Sequence, residues 1–200
     1  MKILIAVPHA GFIEAETMQA LFNVDRCGHD VHMELVYGYE IDRSRNAIAN
    51  IAISGGYDYV WMVDSDVVVP RDALRNLLDP AVDVVYGLYR EKRYVDDGEF
   101  TCLHKFSNQT INYDEITRLH IDDFAETRMK IKGGGAGCLF INVSVFSRIP
   151  KPYFRFHEYP DGGVLSEDLW FSEQLRSMNI PVYADSRVKC QHILKRKFGF

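Results

Sequence analysis

Asp64 and Asp66 close an apolar run, Tyr59-Val60-Trp61-Met62-Val63-Asp64-Ser65-Asp66. Gly55-Gly56 precedes the run and Pro70 follows it, so it reads as a buried strand. Residues i and i+2 of a strand share a side, so both carboxylates are predicted to project together from its carboxyl end. Ligands of open α/β sheets bind at that end. Two hard oxygen donors there suit Mg2+ or Mn2+ carrying a phosphate-bearing substrate. The plain alternative is a solvated strand-to-loop turn.

Four later features could complete a site. The run Gly133-Gly134-Gly135-Ala136-Gly137 would let backbone amides approach a ligand, although a turn explains it equally well. Ser166-Glu167-Asp168 reads as a helix start, where acids also serve the macrodipole. His192 follows the last predicted strand and becomes a metal-ligand candidate only in the company of the other residues. Arg43-Ser44-Arg45-Asn46 places basic groups at a helix start, against the dipole, which a bound anion would compensate. A solvated helix start is the competing explanation.

The elements that must position these residues follow from periodicity. Residues 2–7 read as a buried strand, 13–22 as a helix and 31–37 as a second strand, with Val31, Met33 and Leu35 in period 2. Ser44 is predicted to cap a helix with an apolar face of Ile48, Ile51 and Ala52. After the Asp-terminated strand, Pro70 opens a helix bearing Leu74, Leu77 and Leu78, and residues 82–89 form a fourth strand. This alternation argues for a parallel sheet with crossover helices. Residues 94–132 read as short strands or a flap, 138–143 as a strand, and 151–163 as a loop. Ser166 then caps a helix with Leu169, Leu175 and Met178 inward, and residues 181–184 form a last short strand.

Composition sets the bounds. A chain of 200 residues is expected to be one domain, with 47% hydrophobic and 26% charged residues, both ordinary globular values. The net charge of -5 argues against nucleic acid and anionic membranes as partners. Cys27, Cys102, Cys138 and Cys190 lie far apart without CxxC spacing, as in a reducing compartment. No leader is legible and no apolar run approaches about 18 residues, so the expectation is a cytoplasmic protein without a membrane span. Asn108-Gln109-Thr110 and Asn142-Val143-Ser144 fit a glycosylation triplet that carries little meaning in such a chain.

In this order the parts resemble a minimal GT-A glycosyltransferase of the family 2 type, over nearly the whole chain. Asp64-Ser65-Asp66 matches the DXD motif, and Asp168 matches the late acidic motif that supplies the base of inverting members. Gly134-Ala136-Gly137 is similar to the glycine segment beside donor sugar and acceptor, and Arg45-Asn46 to the pair opening the second helix near the nucleotide. Val188-Lys189-Cys190-Gln191-His192 is similar to the late strand with its metal-binding His. The resemblance implies an α/β, Rossmann-like, mixed but mostly parallel sheet flanked by helices. It implies a nucleotide-binding half over residues 1–92 and an acceptor-side half over 93–200, with no true boundary between them.

It implies a metal-dependent, inverting hexosyltransferase, moving sugar from a nucleoside diphosphate donor to the hydroxyl of a carbohydrate or other acceptor. UDP-sugar is favoured over GDP-sugar. The implied site is Asp168 as base, Asp64, Asp66 and His192 at Mn2+ or Mg2+, and Pro8, Arg45, Asp64, Ser65, Asp66, Gly134 and Gly135 at the donor. Lys195, Arg196 and Lys197 could close over the phosphates, or form a solvated basic tail. Tyr153, Phe154, Phe156 and Tyr159 could stack on an acceptor sugar, with core packing as the default. One rival is a haloacid-dehalogenase-type phosphatase with Asp64 as nucleophile and Asp66 as acid/base. It needs a later acidic pair, for which Asp96-Asp97 comes too early and Asp122-Asp123 lacks a preceding apolar strand. A nucleotidyltransferase wants a basic, Gly-rich loop after the first strand, which Val7-Pro8-His9-Ala10-Gly11 is not. A non-catalytic nucleotide- or glycan-binding module is the third rival.

Overall fold

The computed structural model describes residues 1–92, 100–104, 118–124 and 127–194. Within them a seven-stranded sheet runs in the order β2-β1-β3-β10-β5-β13-β8. Its strands are β1 (Lys2–His9), β2 (Asp30–Tyr37), β3 (Tyr59–Val63), β5 (Val84–Leu88), β8 (Arg128–Ile131), β10 (Cys138–Asn142) and β13 (Val182–Lys189). Short β4 (Val67–Val68) pairs with β14 (Gln191–His192), and β11 (His157–Glu158) with β12 (Val164–Leu165). A three-stranded sheet joins β6 (Phe100–His104), β7 (Arg118–His120) and β9 (Gly133–Gly134). The helices are α1 (Ala15–Asn23), α2 (Ile41–Ser54), α3 (Ala73–Leu77) and α4 (Glu167–Ser177).

Side-chain alternation builds two cores, one on each sheet face. Leu4, Ala6, Val60, Met62, Val84, Tyr86, Leu139 and Ile141 face Ile48, Ala49 and Ala52 of α2 and Phe171 and Leu175 of α4. Ile3, Ile5, Val7, Trp61, Val63, Val85 and Phe140 face Leu21 of α1 and Leu74 and Leu77 of α3. Strands covered on both faces need continuous apolar runs, which is why 3–7 and 59–63 read as they do. The edge strand β2 alternates instead, with Val31 and Met33 only half-buried.

Five expectations change. The first four long strands do not form an uninterrupted parallel sheet, because β10 inserts antiparallel between β3 and β5. Ser44 does not cap α2. The helix starts at Ile41, and the Ser44 hydroxyl donates back to the Glu40 carbonyl at 3.1 Å. Met178 is exposed, and Phe171 takes the inward place with Leu175. The last long strand covers eight residues rather than four, and residues 157–158 of the expected 151–163 loop pair as β11. Residues 94–99, 105–117 and 125–126 of the stretch read as short strands or a flap, with Asp96-Asp97 and Asn108 among them, and Lys195, Arg196 and Lys197 lie outside the described residues. Among the described residues all four cysteines are free, and no helix is long and apolar enough to cross a membrane.

Candidate active site

The strands β1, β2, β3, β5 and β13 all run in one direction, so their carboxyl ends share one edge of the sheet. His9, Tyr37, Asp64 and Tyr89 follow or end these strands, and α2 begins there because it follows β2. The far end of the chain is brought to the same edge by β14. His192 pairs with Val67, and the Ile193 amide donates to the Asp66 carbonyl at 2.9 Å.

Asp64 and Asp66 are placed by a turn rather than by the pleat of β3. The Val67 amide donates to the Asp64 carbonyl at 3.1 Å, and this turn gives the two carboxylates different partners. Asp64 Oδ1 accepts from Arg45 Nη2 at 2.8 Å. Asp66 Oδ2 holds the Lys92 ammonium, and its Oδ1 lies 3.5 Å from His192 Nε2. Burial would raise the Asp66 carboxyl, but the His192 and Lys92 contacts overcome it and hold it down to about 2. Asp66 and His192 therefore come together as the resemblance implies, while Asp64 turns to Arg45.

Arg45 is 2% exposed and ties two distant segments to one guanidinium. Its Nη1 donates to Glu167 Oε1 at 2.5 Å and its Nη2 to Asp64, while Nε has no partner among the described residues. Burial would lower its pKa, but Asp64, Glu167 and Asp168 reverse that, so it stays charged. Burial pushes the Glu167 carboxyl up to about 7, Arg45 opposes this, and the neighbouring Asp168 adds to it. Asp168 opens α4 beside this pair. Its Oδ1 accepts from the Ser166 hydroxyl and from the Leu169 amide at 2.8 Å. Ser166 occupies the N-cap position, but its hydroxyl goes to Asp168 and not to the helix backbone.

The remaining predicted donor residues have clear structural places. Pro8 is buried in β1 opposite Val36, and the Ser65 carbonyl accepts from the Glu14 amide at 2.9 Å. Gly134 packs on Cys102 and Leu103 of β6. A Cβ on Gly135 would collide with the Tyr89 hydroxyl, and the Gly135 amide already donates to the Cys102 carbonyl at 2.8 Å. Their side-chain-free character thus has a packing cause, and the Gly135 amide is committed within the protein. The same run shapes the Asp turn: the Asp64 amide donates to the Gly137 carbonyl at 3.0 Å, and the Gly137 amide to the Tyr89 hydroxyl at 2.9 Å.

Sequence reasoning did not assign site roles to Glu167, Tyr89, Lys92 or the aromatic group His9, Tyr37 and Tyr39. Glu167 had a signal. Arg45 lies at i relative to Ile48, Ala49 and Ala52, on the apolar face of α2, and a buried Arg demands acids. Nothing in the sequence singles out Lys92. The aromatic group forms edge contacts, with ring centroids 5.7 Å apart for His9–Tyr37 and 5.4 Å for Tyr37–Tyr39.

The donor set at Asp66 fits a divalent cation completed by substrate oxygens. His192 Nδ1 lies 2.7 Å from the Arg90 carbonyl, which can only accept, so Nδ1 carries the hydrogen. Nε2 is then the ring nitrogen that faces Asp66. No group of three His, Cys, Asp or Glu side chains gathers there among the described residues. One carboxylate and one imidazole leave most positions to phosphate and water, as Mg2+ commonly has them.

The comparisons with known proteins bear on the fold. No protein-family model and no curated protein matches the chain. Solved structures do. A197 from STIV superposes with a TM-score of 0.64 at 17% identity, over 98% of this chain and 87% of that one. GalNAc-T7, solved with UDP, GalNAc and Mn2+, superposes with a TM-score of 0.66 at 9% identity, over 98% of this chain and 44% of that one. Drosophila beta1,4galactosyltransferase 7, in complex with xylobiose, gives 0.55 at 17% identity, over 98% and 71%. The fold is that of the GT-A glycosyltransferases. At this identity the likeness fixes the GT-A architecture, and the chain spans less than half of GalNAc-T7.

Proposed function

We propose that the chain is a metal-dependent glycosyltransferase of the hexosyltransferase class, using a nucleoside diphosphate sugar and an acceptor hydroxyl. The observation that carries this reading is the meeting, in a GT-A fold, of Asp66 with His192 at 3.5 Å on the sheet edge where α4 presents Asp168. Asp66 and His192 would hold Mn2+ or Mg2+. Such a cation, when bound, neutralises the charge of the departing diphosphate.

The chain's own groups supply the rest. Asp168 is the base: its carboxylate takes the acceptor hydroxyl proton as that oxygen attacks the anomeric carbon, which makes transfer inverting. Arg45 fixes the Asp turn and the first turn of α4 through one buried guanidinium, so donor side and base share an anchor. His9, Tyr37 and Tyr39, at the ends of β1 and β2, offer flat faces and edges to a nucleobase. UDP is favoured over GDP, in line with the UDP that GalNAc-T7 was solved with. The acceptor is a carbohydrate or another hydroxyl compound.

The phosphatase alternative needs Asp64 free as a nucleophile, but its Oδ1 is committed to a buried Arg45. The test is a sugar-nucleotide panel with Mn2+, scoring nucleoside diphosphate release with and without simple glycoside acceptors. Asp168→Asn should lower turnover by roughly two to four orders of magnitude, the scale of general-base catalysis, with donor affinity little changed. Unchanged turnover would remove Asp168 from the chemistry. Hydrolysis of phosphate monoesters alone would restore the phosphatase.

A further inference from the structure

The residues around Asp66 contain a cation of their own. Lys92 Nζ lies on Asp66 Oδ2, while His192 Nε2 faces the other oxygen of the same carboxylate. The segment from Tyr89 to Lys92 touches this place three times. Tyr89 sets its ring edge-on to His192 with centroids 5.2 Å apart, the Arg90 carbonyl accepts from His192 Nδ1, and Lys92 reaches the carboxylate. The first two contacts aim the imidazole. The third sets an ammonium against the Asp66 oxygen that the imidazole leaves free. A carboxylate only about a quarter exposed favours a nearby positive charge. Lys92 is itself 34% exposed, so it has a route back to solvent.

We propose that Lys92 is the resident counter-ion of the Asp66–His192 pair: it competes with the divalent cation for Asp66, and on release it becomes a ligand of the donor diphosphate. The inference rests on the metal-dependent reading above. Its chemistry is an exchange of ion pairs. The ammonium gives up the carboxylate to a divalent ion and takes a phosphate oxygen, so no carboxylate or ammonium is left uncompensated at either stage. A lysine suits this use, since it is a point charge on a flexible stem with three donors and no fixed fork to satisfy. The exchange also links metal and nucleotide. The ion alone must displace Lys92 without recompense, whereas ion and diphosphate together give the ammonium a new partner. The protein alone should therefore bind Mn2+ weakly, and the nucleoside diphosphate should strengthen that binding.

The test uses Mn2+ alone, read by electron paramagnetic resonance of the free ion, and UDP with Mn2+, read by calorimetry. Lys92→Met keeps the length of the chain and removes the charge at a part-exposed position, and Lys92→Arg keeps the charge. Lys92→Met should bind Mn2+ about tenfold more tightly than the unmutated protein, the scale of one charge-assisted hydrogen bond lost from the competing state. In the same variant UDP should bind the Mn2+-loaded protein about tenfold more weakly. Lys92→Arg should stay near the unmutated protein in the Mn2+ measurement. If the unmutated protein binds UDP with Mn2+ but Lys92→Met leaves Mn2+ affinity unchanged or weakens it, Lys92 is not the competing cation and the inference falls alone. If the unmutated protein binds UDP no better with Mn2+ than with chelator, the metal-dependent reading fails and takes this inference with it.

Discussion

Replacing Arg45 by Met should destabilise the fold strongly and in a pH-dependent way. The guanidinium side chain is 3% exposed and is shared by Glu167, 7% exposed, and Asp64, 28% exposed. Removing one partner of a buried ion pair leaves the other charge without compensation, at a cost of about 3–5 kcal/mol. Asp64 is open enough to recover part of its hydration, so Glu167 carries most of the loss. Glu167 has a way out, because its carboxyl already stands near 7 and loses its opposing charge in the variant. At about pH 5.5 it is protonated in both proteins, and the penalty shrinks. At about pH 8 it must ionise unpaired, or hold its proton at a cost of about 1.4 kcal/mol per pH unit.

The destabilisation should thus reach about 3–5 kcal/mol at about pH 8 and fall by at least about 1 kcal/mol at about pH 5.5. Urea denaturation followed by far-UV circular dichroism at both pH values measures it by linear extrapolation. A domain of ordinary stability survives the loss, so both midpoints should be readable. Adding Glu167→Gln to Arg45→Met should restore part of the stability, since it removes the orphaned charge. A destabilisation below about 1 kcal/mol at about pH 8, or one equal at both pH values, would refute the reasoning.

Glu167 alone gives a sign that can be checked in the unmutated protein. Its folded carboxyl is raised from 4.5 to about 7, so the folded state holds the extra proton between those values, and stability should fall as pH rises through that window. Glu167→Gln should flatten that slope, as read by thermal midpoints across the range. Gly135→Ala should cost about 1–3 kcal/mol, because its Cβ meets the Tyr89 hydroxyl that holds the Gly137 amide, and calorimetric melting measures it. Tyr37→Ala should weaken UDP binding by roughly tenfold if its ring meets the base, with thermal stability little changed because the side chain is mostly exposed; calorimetric titration reads the affinity.

The parts of this molecule that were legible in the sequence are those fixed by local pattern. Residues 3–7 and 59–63 must be covered on both faces, and their unbroken apolar runs say so. Asp64 and Asp66 stand out because they end such a run. The position of β10 was not legible, since Cys138–Asn142 is as apolar as a parallel strand and nothing local reveals its direction. Ser44 and Arg45 misled for a shared reason. Both looked like a helix start, yet three more residues join the helix before Ser44, and Arg45 turns inward to Asp64 and Glu167. That contact is long-range, as are the Lys92 contact with Asp66 and the β4–β14 pairing that brings in His192. A site assembled from strand ends is visible in sequence only where each piece carries its own signature, and Lys92 carries none.

The most direct test of the account is a calorimetric titration of the unmutated protein with UDP, in Mn2+ and in chelator, repeated with Asp66→Asn. The account predicts at least about tenfold tighter binding with Mn2+, the scale of one charge-assisted contact, and loss of that difference in Asp66→Asn while the fold is retained. Equal affinity in Mn2+ and chelator would contradict it, as would an Asp66→Asn protein that keeps the full effect of Mn2+.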